Sequence, residues 1–309
     1  MNRLWFAGSG KFGARCLELL SREFSIQMVI TSPPARAGRK YKKRPTPVED
    51  LAGNIKSSIY RTASFSDDEY LLERLSEETP EAIIVVDFGQ MISEPFLSFS
   101  KAGCLNIHPS LLPLYRGASP IQRAILDGRV ETGVSVFRLD TGMDSGPVVK
   151  QASKQIAHTD TCGDLMESLA FEGSRIMTEV IHNYRIGIFP LSLQDDGKAS
   201  YAPKIQRSEA HFSWDENALA IHNRVRAFNP VPGAFTEYKG RRLKIWKTGI
   251  RNIEGKAGKV IELVDGYPVI AAGSGALLLE TVQPEGKKPV SGKDWINGSH
   301  IRKDDLINE

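Results

Sequence analysis

Apolar residues come in short runs along the first half of the chain. Leu4–Ala7, Ile26–Thr31, Ala82–Val86, Leu105–His108, Val134–Leu139 and Val148–Gln151 are apolar and often β-branched, which fits buried strands. Amphipathic stretches such as Lys11–Leu20 and Tyr70–Leu75 lie between several of them. Ser119-Pro120 reads as an N-cap followed by proline at the first helical position, opening a helix over Ile121–Leu126. From Asp164 to Tyr184, the residues Leu165, Leu169, Gly173, Ile176, Val180 and Tyr184 recur at three- and four-residue spacing. That pattern predicts the longest helix, packed across a sheet. The alternation predicts an α/β domain with an open, mostly parallel, Rossmann-like sheet and helices on its faces.

Periodicity lapses over Ile188–Ala202, and Gln194-Asp195-Asp196-Gly197-Lys198 reads as a turn-rich connector. Beyond it come one helical segment, Glu216–Ala227, and the strand-like runs Ala234–Tyr238, Leu243–Lys247, Gly258–Leu263, Pro268–Ala271 and Ala276–Val282. One short helix with about five strands suggests a small OB-like β-barrel. The expected division is a catalytic domain over 1–188, a linker over 189–207 and a C-terminal domain over 208–309.

Composition adds limits. The 309 residues are 41% hydrophobic and 25% charged, ordinary for a globular protein. No apolar run approaches the roughly 20 residues of a membrane helix, and the first residues lack the pattern of a secretory signal. Three scattered cysteines predict neither a disulfide frame nor a metal pair, and the six histidines show no ligand spacing, so no metal is expected. The expectation is a reduced cytoplasmic enzyme, acting as a monomer. Net charge is +3 but uneven: residues 201–309 hold 17 Lys and Arg against 13 Asp and Glu. A basic C-terminal part suits a polyanionic partner.

Four segments could carry chemistry. In Leu105-Asn106-Ile107-His108-Pro109, strand alternation sends Asn106 and His108 the same way, and Pro109 ends the strand. An amide donor beside an imidazole at a strand's C-terminal end suits a reaction passing through an oxyanion. The tight loop Asp140-Thr141-Gly142-Met143-Asp144-Ser145-Gly146-Pro147 follows another strand and offers a carboxylate to orient that imidazole. Asp140 competes with Asp144 for this role on spacing alone, and Asp144 could instead stabilise the turn. Gly8-Ser9-Gly10-Lys11-Phe12-Gly13 fits a dinucleotide fingerprint, but the next strand ends Val29-Ile30-Thr31-Ser32 with no ribose-binding acid. Its glycines are expected to let helix and sheet approach closely. Arg39-Lys40-Tyr41-Lys42-Lys43-Arg44, flanked by prolines, could follow a phosphate backbone.

These segments together resemble the methionyl-tRNA formyltransferase family over nearly the whole chain. The resemblance rests on Phe6–Arg15, on Ala37-Gly38-Arg39 with Pro45-Thr46-Pro47-Val48, and on Asn106–Pro113 continuing through Tyr115–Gln122. Tyr201–Lys204, Arg226–Pro230 and Gln283–Lys288 carry it into the C-terminal part. It implies the formyltransferase fold and formyl transfer from 10-formyltetrahydrofolate to initiator methionyl-tRNA. It implies Asn106, His108 and Asp144 as the catalytic set. Phe88, Gly89, Gln90, Met91 and Ile92, with Ser110, Leu111, Leu112 and Pro113, would line the folate site. Arg39, Lys40, Lys42, Lys43, Arg44, Lys204, Lys287 and Lys288 would contact tRNA. A relative of the same fold acting on an amino sugar nucleotide or another small amine is the alternative. Lys40 and Asp87 depart from the family pattern, which often has glycine at the first position and a small residue at the second.

Overall fold

The computed structural model describes residues 3–37 and 42–307, leaving aside the side chains of Arg36, Ala37 and Lys42. In chain order the first elements are β1 (Leu4–Gly8), α1 (Lys11–Leu20), β2 (Ile26–Thr31), β3 (Ala35–Ala37), β4 (Lys42–Arg44), α2 (Pro47–Ala52) and β5 (Ser58–Arg61). There follow α3 (Glu69–Glu78), β6 (Ala82–Val86), α4 (Glu94–Ser98), β7 (Cys104–His108), α5 (Pro120–Leu126), β8 (Glu131–Arg138), β9 (Val148–Gln155) and α6 (Cys162–Arg185).

Seven strands form one sheet in the order β5-β2-β1-β6-β7-β8-β9. β5, β2, β1, β6 and β7 run parallel, whereas β8 is antiparallel to both β7 and β9. The central strands β1 (Leu-Trp-Phe-Ala-Gly) and β6 (Ala-Ile-Ile-Val-Val) are buried at every position. Continuous apolar runs of this kind need cover on both sheet faces. β1 is followed outward by β2 on one side and neighbours β6 on the other, so the chain changes direction at the β1/β6 boundary. Ligands in open α/β sheets bind outside the carboxyl ends of the strands.

Helix α6 packs against this sheet as its periodicity predicts. A Cβ added to Gly173 would stand 2.5 Å from Ile107 Cγ2 and 2.9 Å from Val134 Cγ2. Glycine at this position therefore brings the helix backbone down onto β7 and β8. Two shorter helices start on ordinary caps: α2, which shows no period, and α3, which extends the amphipathic stretch around Tyr70–Leu75. Thr46 accepts from the Glu49 amide with proline at the first turn of α2, and Asp68 accepts from the Leu71 amide at α3.

The chain gathers into two units. The first holds 1–120, 131–155 and 166–203, and the second holds 121–130, 156–165 and 204–309. The second contains α7 (Ala218–Ala227), β10 (Phe235–Tyr238), β11 (Arg241–Arg251), β12 (Val260–Val264), β13 (Tyr267–Ala271), β14 (Ala276–Pro284), β15 (Val290–Ser291) and α8 (Gly292–Ser299). Its strands form a separate antiparallel sheet in the order β10-β11-β14-β13-β12, with β15 added to β14. The long strand β11 carries irregularities of register between Ile245 and Lys247 and between Lys247 and Thr248, which let it bend. Among the described residues β10 and β12, the ends of this path, are not hydrogen-bonded to each other, so the sheet does not close into a complete hydrogen-bonded barrel.

Candidate active site

β7 supplies the first two groups. Asn106 pairs with Phe137 of β8 and His108 with Ser135, at the carboxyl end of the last parallel strand. His108 is 5% exposed and its Nε2 lies 2.9 Å from the carbonyl oxygen of Tyr115. A carbonyl only accepts, so Nε2 carries the hydrogen in this contact. The other ring nitrogen, Nδ1, stands 3.6 Å from Asp144 Oδ2. That distance is beyond a hydrogen bond but well within electrostatic reach. The same carboxylate oxygen accepts from the Gly117 amide at 2.7 Å, which fixes it beside the ring. Asn106 is half-buried, and among the described residues its side-chain amide has no hydrogen-bond partner. It remains available to a bound molecule.

The competition between the two aspartates is resolved by geometry. Asp140 Oδ1 accepts from the Gly142 amide at 3.0 Å and from Ser145 Oγ at 2.9 Å, so it stabilises the turn. Asp144 adopts the left-handed region at φ 50°, which aspartate tolerates better than most residues, and faces His108.

The stretch after β7 is pinned from below. Ser135 Oγ donates to the Ser110 carbonyl at 2.6 Å and accepts from the Leu112 amide at 3.0 Å. Gln151 Nε2 donates to the Leu112 carbonyl at 2.9 Å and to Ser135 Oγ at 2.8 Å. Ser110 Oγ donates to the Leu114 carbonyl. Ser110 and Leu112 are therefore buried scaffold, whereas Leu111 and Pro113 are half-buried.

The loop after β6 divides in the same way. Phe88 sits in the core edge-on to Phe65, and Ile92 packs against that core. Gln90 Oε1 accepts from the Phe65 amide, while its Nε2 donates to Ser32 Oγ and the Thr62 carbonyl. Its amide is spent on ties between loops. Gly89, at φ 70° with open space where a Cβ would be, and Met91, 74% exposed, present surface.

The glycine-rich turn is filled by the protein itself. The Asp87 carboxylate lies beside the amides of Gly13 and Phe12 at the start of α1, and its backbone carbonyl accepts from the Ser9 and Gly10 amides. A Cβ on Gly10 would overlap Asp87 Oδ2. Free amides at a helix N-terminus attract anions, and here an internal carboxylate takes the place a dinucleotide phosphate would use. Partial desolvation against the turn pushes the Asp87 carboxyl up, while the nearby Gly13 and Phe12 amides pull it down, and the residue as a whole stays exposed. The acid that departs from the family pattern thus closes the turn.

Among the described residues no group of three or more His, Cys, Asp or Glu side chains could hold a metal ion, and no helix is long and apolar enough to cross a membrane. Burial pushes the Cys16 and Cys162 thiols up to about 12 and that of Cys104 higher still, so none is poised as a nucleophile.

Residues 3–181 match the family model described as formyl transferase, and 204–300 match that of the formyl transferase C-terminal domain. Methionyl-tRNA formyltransferase of Clostridium botulinum (strain Alaska E43 / Type E3) is 33% identical over 309 residues, covering 99% of this chain and 100% of the relative. The chain belongs to the methionyl-tRNA formyltransferase family. A solved N-formyltransferase from Helicobacter canadensis, in complex with folinic acid and dTDP-3-aminofucose, shares the fold with a TM-score of 0.65 at 20% identity, over 92% of this chain and 100% of that one. A variant of HypX from Aquifex aeolicus shares it too, with a TM-score of 0.65 at 16% identity over 98% of this chain. This chain spans 49% of the HypX chain.

The basic residues expected of a methionyl-tRNA formyltransferase are dispersed. Arg39 and Lys40 lie outside the described residues, as does the side chain of Lys42. β4 pairs with β3 as a two-stranded ribbon, on which Lys43 and Arg44 are exposed. In the second unit Lys204, Lys287 and Lys288 are exposed, the latter two at the turn that follows β14. Ser135, Gln151 and the Tyr115 carbonyl, which hold the site in shape, carry no signal in the sequence. The first two lie inside strands and the third is backbone, so no side-chain pattern marks them.

Proposed function

We propose that this chain transfers the formyl group of 10-formyltetrahydrofolate to the α-amino group of methionyl-tRNA, acting on the initiator tRNA in the cytoplasm as a monomer. The observation that carries the reading is a trio beside the end of β7: an Asn106 amide with no partner among the described residues, next to a His108 whose Nε2 is committed and whose Nδ1 faces Asp144. The donor supplies a carbonyl carbon already at the oxidation level of the product, so no redox step is needed. Asn106 donates to the oxygen that gains charge as the neutral amine attacks. With its Nε2 hydrogen held by Tyr115, His108 takes or gives a proton only at Nδ1. That proton comes from the attacking amine and leaves on the departing folate nitrogen. Asp144 stabilises the imidazolium through charge rather than through a hydrogen bond, given the 3.6 Å separation. Gly89, Met91, Leu111 and Pro113 are proposed to face the folate, and Phe88, Gln90, Ile92, Ser110 and Leu112, through their packing and hydrogen bonds, to hold that surface in shape. Arg39, Lys40, Lys42, Lys43, Arg44, Lys204, Lys287 and Lys288 are proposed to contact tRNA phosphates.

The test is transfer of labelled formyl from 10-formyltetrahydrofolate to charged initiator tRNA, charged elongator tRNA and an amino sugar nucleotide. Initiator tRNA is expected to be the preferred acceptor. Asn106→Ala and His108→Ala should each lose about 10²–10³-fold in kcat with unchanged circular dichroism. Near-wild-type turnover in both folded variants sinks the catalytic assignment, and preference for the sugar nucleotide sinks the acceptor.

A further inference from the structure

The segment 192–202 reads as a connector in the sequence but is strapped onto both halves of the candidate site. Ser192 exchanges both backbone hydrogen bonds with Val148, at 2.8 Å each. Further on, the Ser200 amide donates to the Pro113 carbonyl, the Ser200 carbonyl accepts from the Arg116 amide, and the Ala202 amide donates to the Arg116 carbonyl. Ser200 Oγ accepts from the Tyr115 amide at 2.9 Å. One side chain in the strap joins the two halves. Gln194 Oε1 accepts from Arg116 Nε at 3.1 Å and Nη2 at 2.8 Å, and Gln194 Nε2 donates to the carbonyls of Asp144 at 2.8 Å and Gly146 at 2.7 Å.

Arg116 stands between the two residues that hold the catalytic pair: Tyr115, whose carbonyl fixes His108 Nε2, and Gly117, whose amide fixes Asp144 Oδ2. Tyr115 lies at φ 59°, a left-handed position that a tyrosine keeps only where the surroundings over-determine it, whereas Gly117 at φ 116° and Asp144 at φ 50° are residue types that tolerate such angles. Arg116 is 4% exposed, and its charge is met by Asp196 Oδ1 at 2.7 Å, from the same strap. Gln194 itself is neutral. Its amide offers an acceptor on one side and two donor hydrogens on the other, as a bridge between a guanidinium and two carbonyls requires.

We infer that Gln194 is a positioning residue for formyl transfer: it clamps Arg116 to the Asp144 loop and so sets the approach of the Asp144 carboxylate to His108 Nδ1. This rests on the catalytic reading of His108 and Asp144. Gln194→Glu keeps the length and the Arg116 contacts but replaces both donor hydrogens with a carboxylate oxygen facing two carbonyls. Gln194→Ala removes the whole bridge.

Both variants are to be assayed for kcat, both KM values and the pH profile of kcat, with thermal unfolding measured alongside. The expected result is a kcat loss of about 10–100-fold in each, in line with small misplacements of reacting groups, with both KM values within about threefold and a displaced pH limb. If Gln194→Ala does not fold, Gln194→Met carries the same test. Wild-type kcat and pH profile in Gln194→Glu overturn the inference. So does a kcat loss with an undisplaced pH profile, since that is what mere loosening of the fold produces. His108→Ala in the same assay separates the two levels: if it stays active the catalytic reading fails, and if it is inactive the outcome for Gln194 bears on the clamp alone.

Discussion

His108 gives up one of its two ring nitrogens to backbone, and that decides how the residue can act. The Tyr115 carbonyl holds Nε2, so in the proposed reaction any proton His108 exchanges would pass through Nδ1, the atom that faces Asp144. Asp144→Asn separates charge from shape. An amide oxygen can still accept from the Gly117 amide as Asp144 Oδ2 does, so the loop should stand with its thermal midpoint little changed. The amide NH2 would then face Nδ1 and favour the neutral imidazole. We expect kcat to fall about 10²-fold with both KM values nearly unchanged, measured by steady-state formylation; a kcat within twofold of wild type would show that the carboxylate charge is not used. Asn106, His108 and a loop carboxylate were legible in the sequence because side-chain alternation and strand-end position are local properties. The choice between Asp140 and Asp144 was not, because it depends on which of them the turn consumes, and Asp140 is spent on Gly142 and Ser145. The bonding of Gln90 was hidden for a related reason: its partners Ser32, Thr62 and Phe65 come from distant parts of the chain.

Among the elements, α6 and β7 are coupled through a single glycine. Gly173 lets the helix rest on Ile107, the residue between Asn106 and His108 whose side chain points away from them. Gly173→Ala puts a methyl into contacts of 2.5 Å and 2.9 Å with Ile107 and Val134. Overpacking of this kind costs about 1–3 kcal/mol, so a lower thermal midpoint is expected despite alanine's better helix propensity, and kcat should fall as β7 shifts. A midpoint equal to or above wild type would mean that the helix can lift without cost. In the second unit, α7 contributes His222, 6% exposed, with Nδ1 2.8 Å from Thr248 Oγ1 and Nε2 3.0 Å from the His158 carbonyl. Burial holds its pKa below the ordinary 6.5, with Arg226 adding to the effect. The unfolded chain then binds the proton more readily than the folded one. Stability contributed by neutral His222 is thus complete above about pH 6.5 and is lost as pH falls from there towards the depressed folded value. Unfolding of the protein followed from about pH 7.5 to about pH 5 should show a falling midpoint, and His222→Gln should flatten that fall; equal slopes would exclude His222 as its source. α1 and α6 were legible from the spacing of their apolar residues, and β2 and β6 from their runs of apolar, mostly β-branched residues. β5 was not: Ser58-Ile59-Tyr60-Arg61 has two apolar residues and becomes a strand only by pairing with β2 at the sheet edge. α2 spans six residues, too few for a period, and only the cap at Thr46-Pro47 with Glu49 marks where it starts.

At the scale of the whole chain, the question is how a molecule with a net charge of only +3 would select a nucleic-acid acceptor. Its excess of cations is local, with 17 Lys and Arg against 13 Asp and Glu over residues 201–309, and a further basic ribbon at β4. This unevenness was legible from the sequence; which cations are engaged internally was not, since Lys150, Arg175 and Arg185 are paired with glutamates, whereas Lys43, Arg44, Lys287 and Lys288 are exposed. Exposed cations that meet phosphates release counterions, and each such contact steepens the dependence of binding on salt by about 0.7–0.9 in log–log slope. Removing them should therefore act on tRNA and on nothing else. Lys43→Glu with Arg44→Glu, and separately Lys287→Glu with Lys288→Glu, should raise the KM for charged tRNA about tenfold or more and flatten its salt dependence. The KM for 10-formyltetrahydrofolate should stay within twofold, and the unfolding midpoint should hardly move, because exposed substitutions rarely change stability by more than about 0.5 kcal/mol. Titrating sodium chloride in the formylation assay makes the decision. If one pair of reversals leaves the salt slope unaltered, that segment does not touch the polyanion; if both do, the acceptor is recognised without these cations and a small neutral amine becomes the better fit to the proposed trio of Asn106, His108 and Asp144.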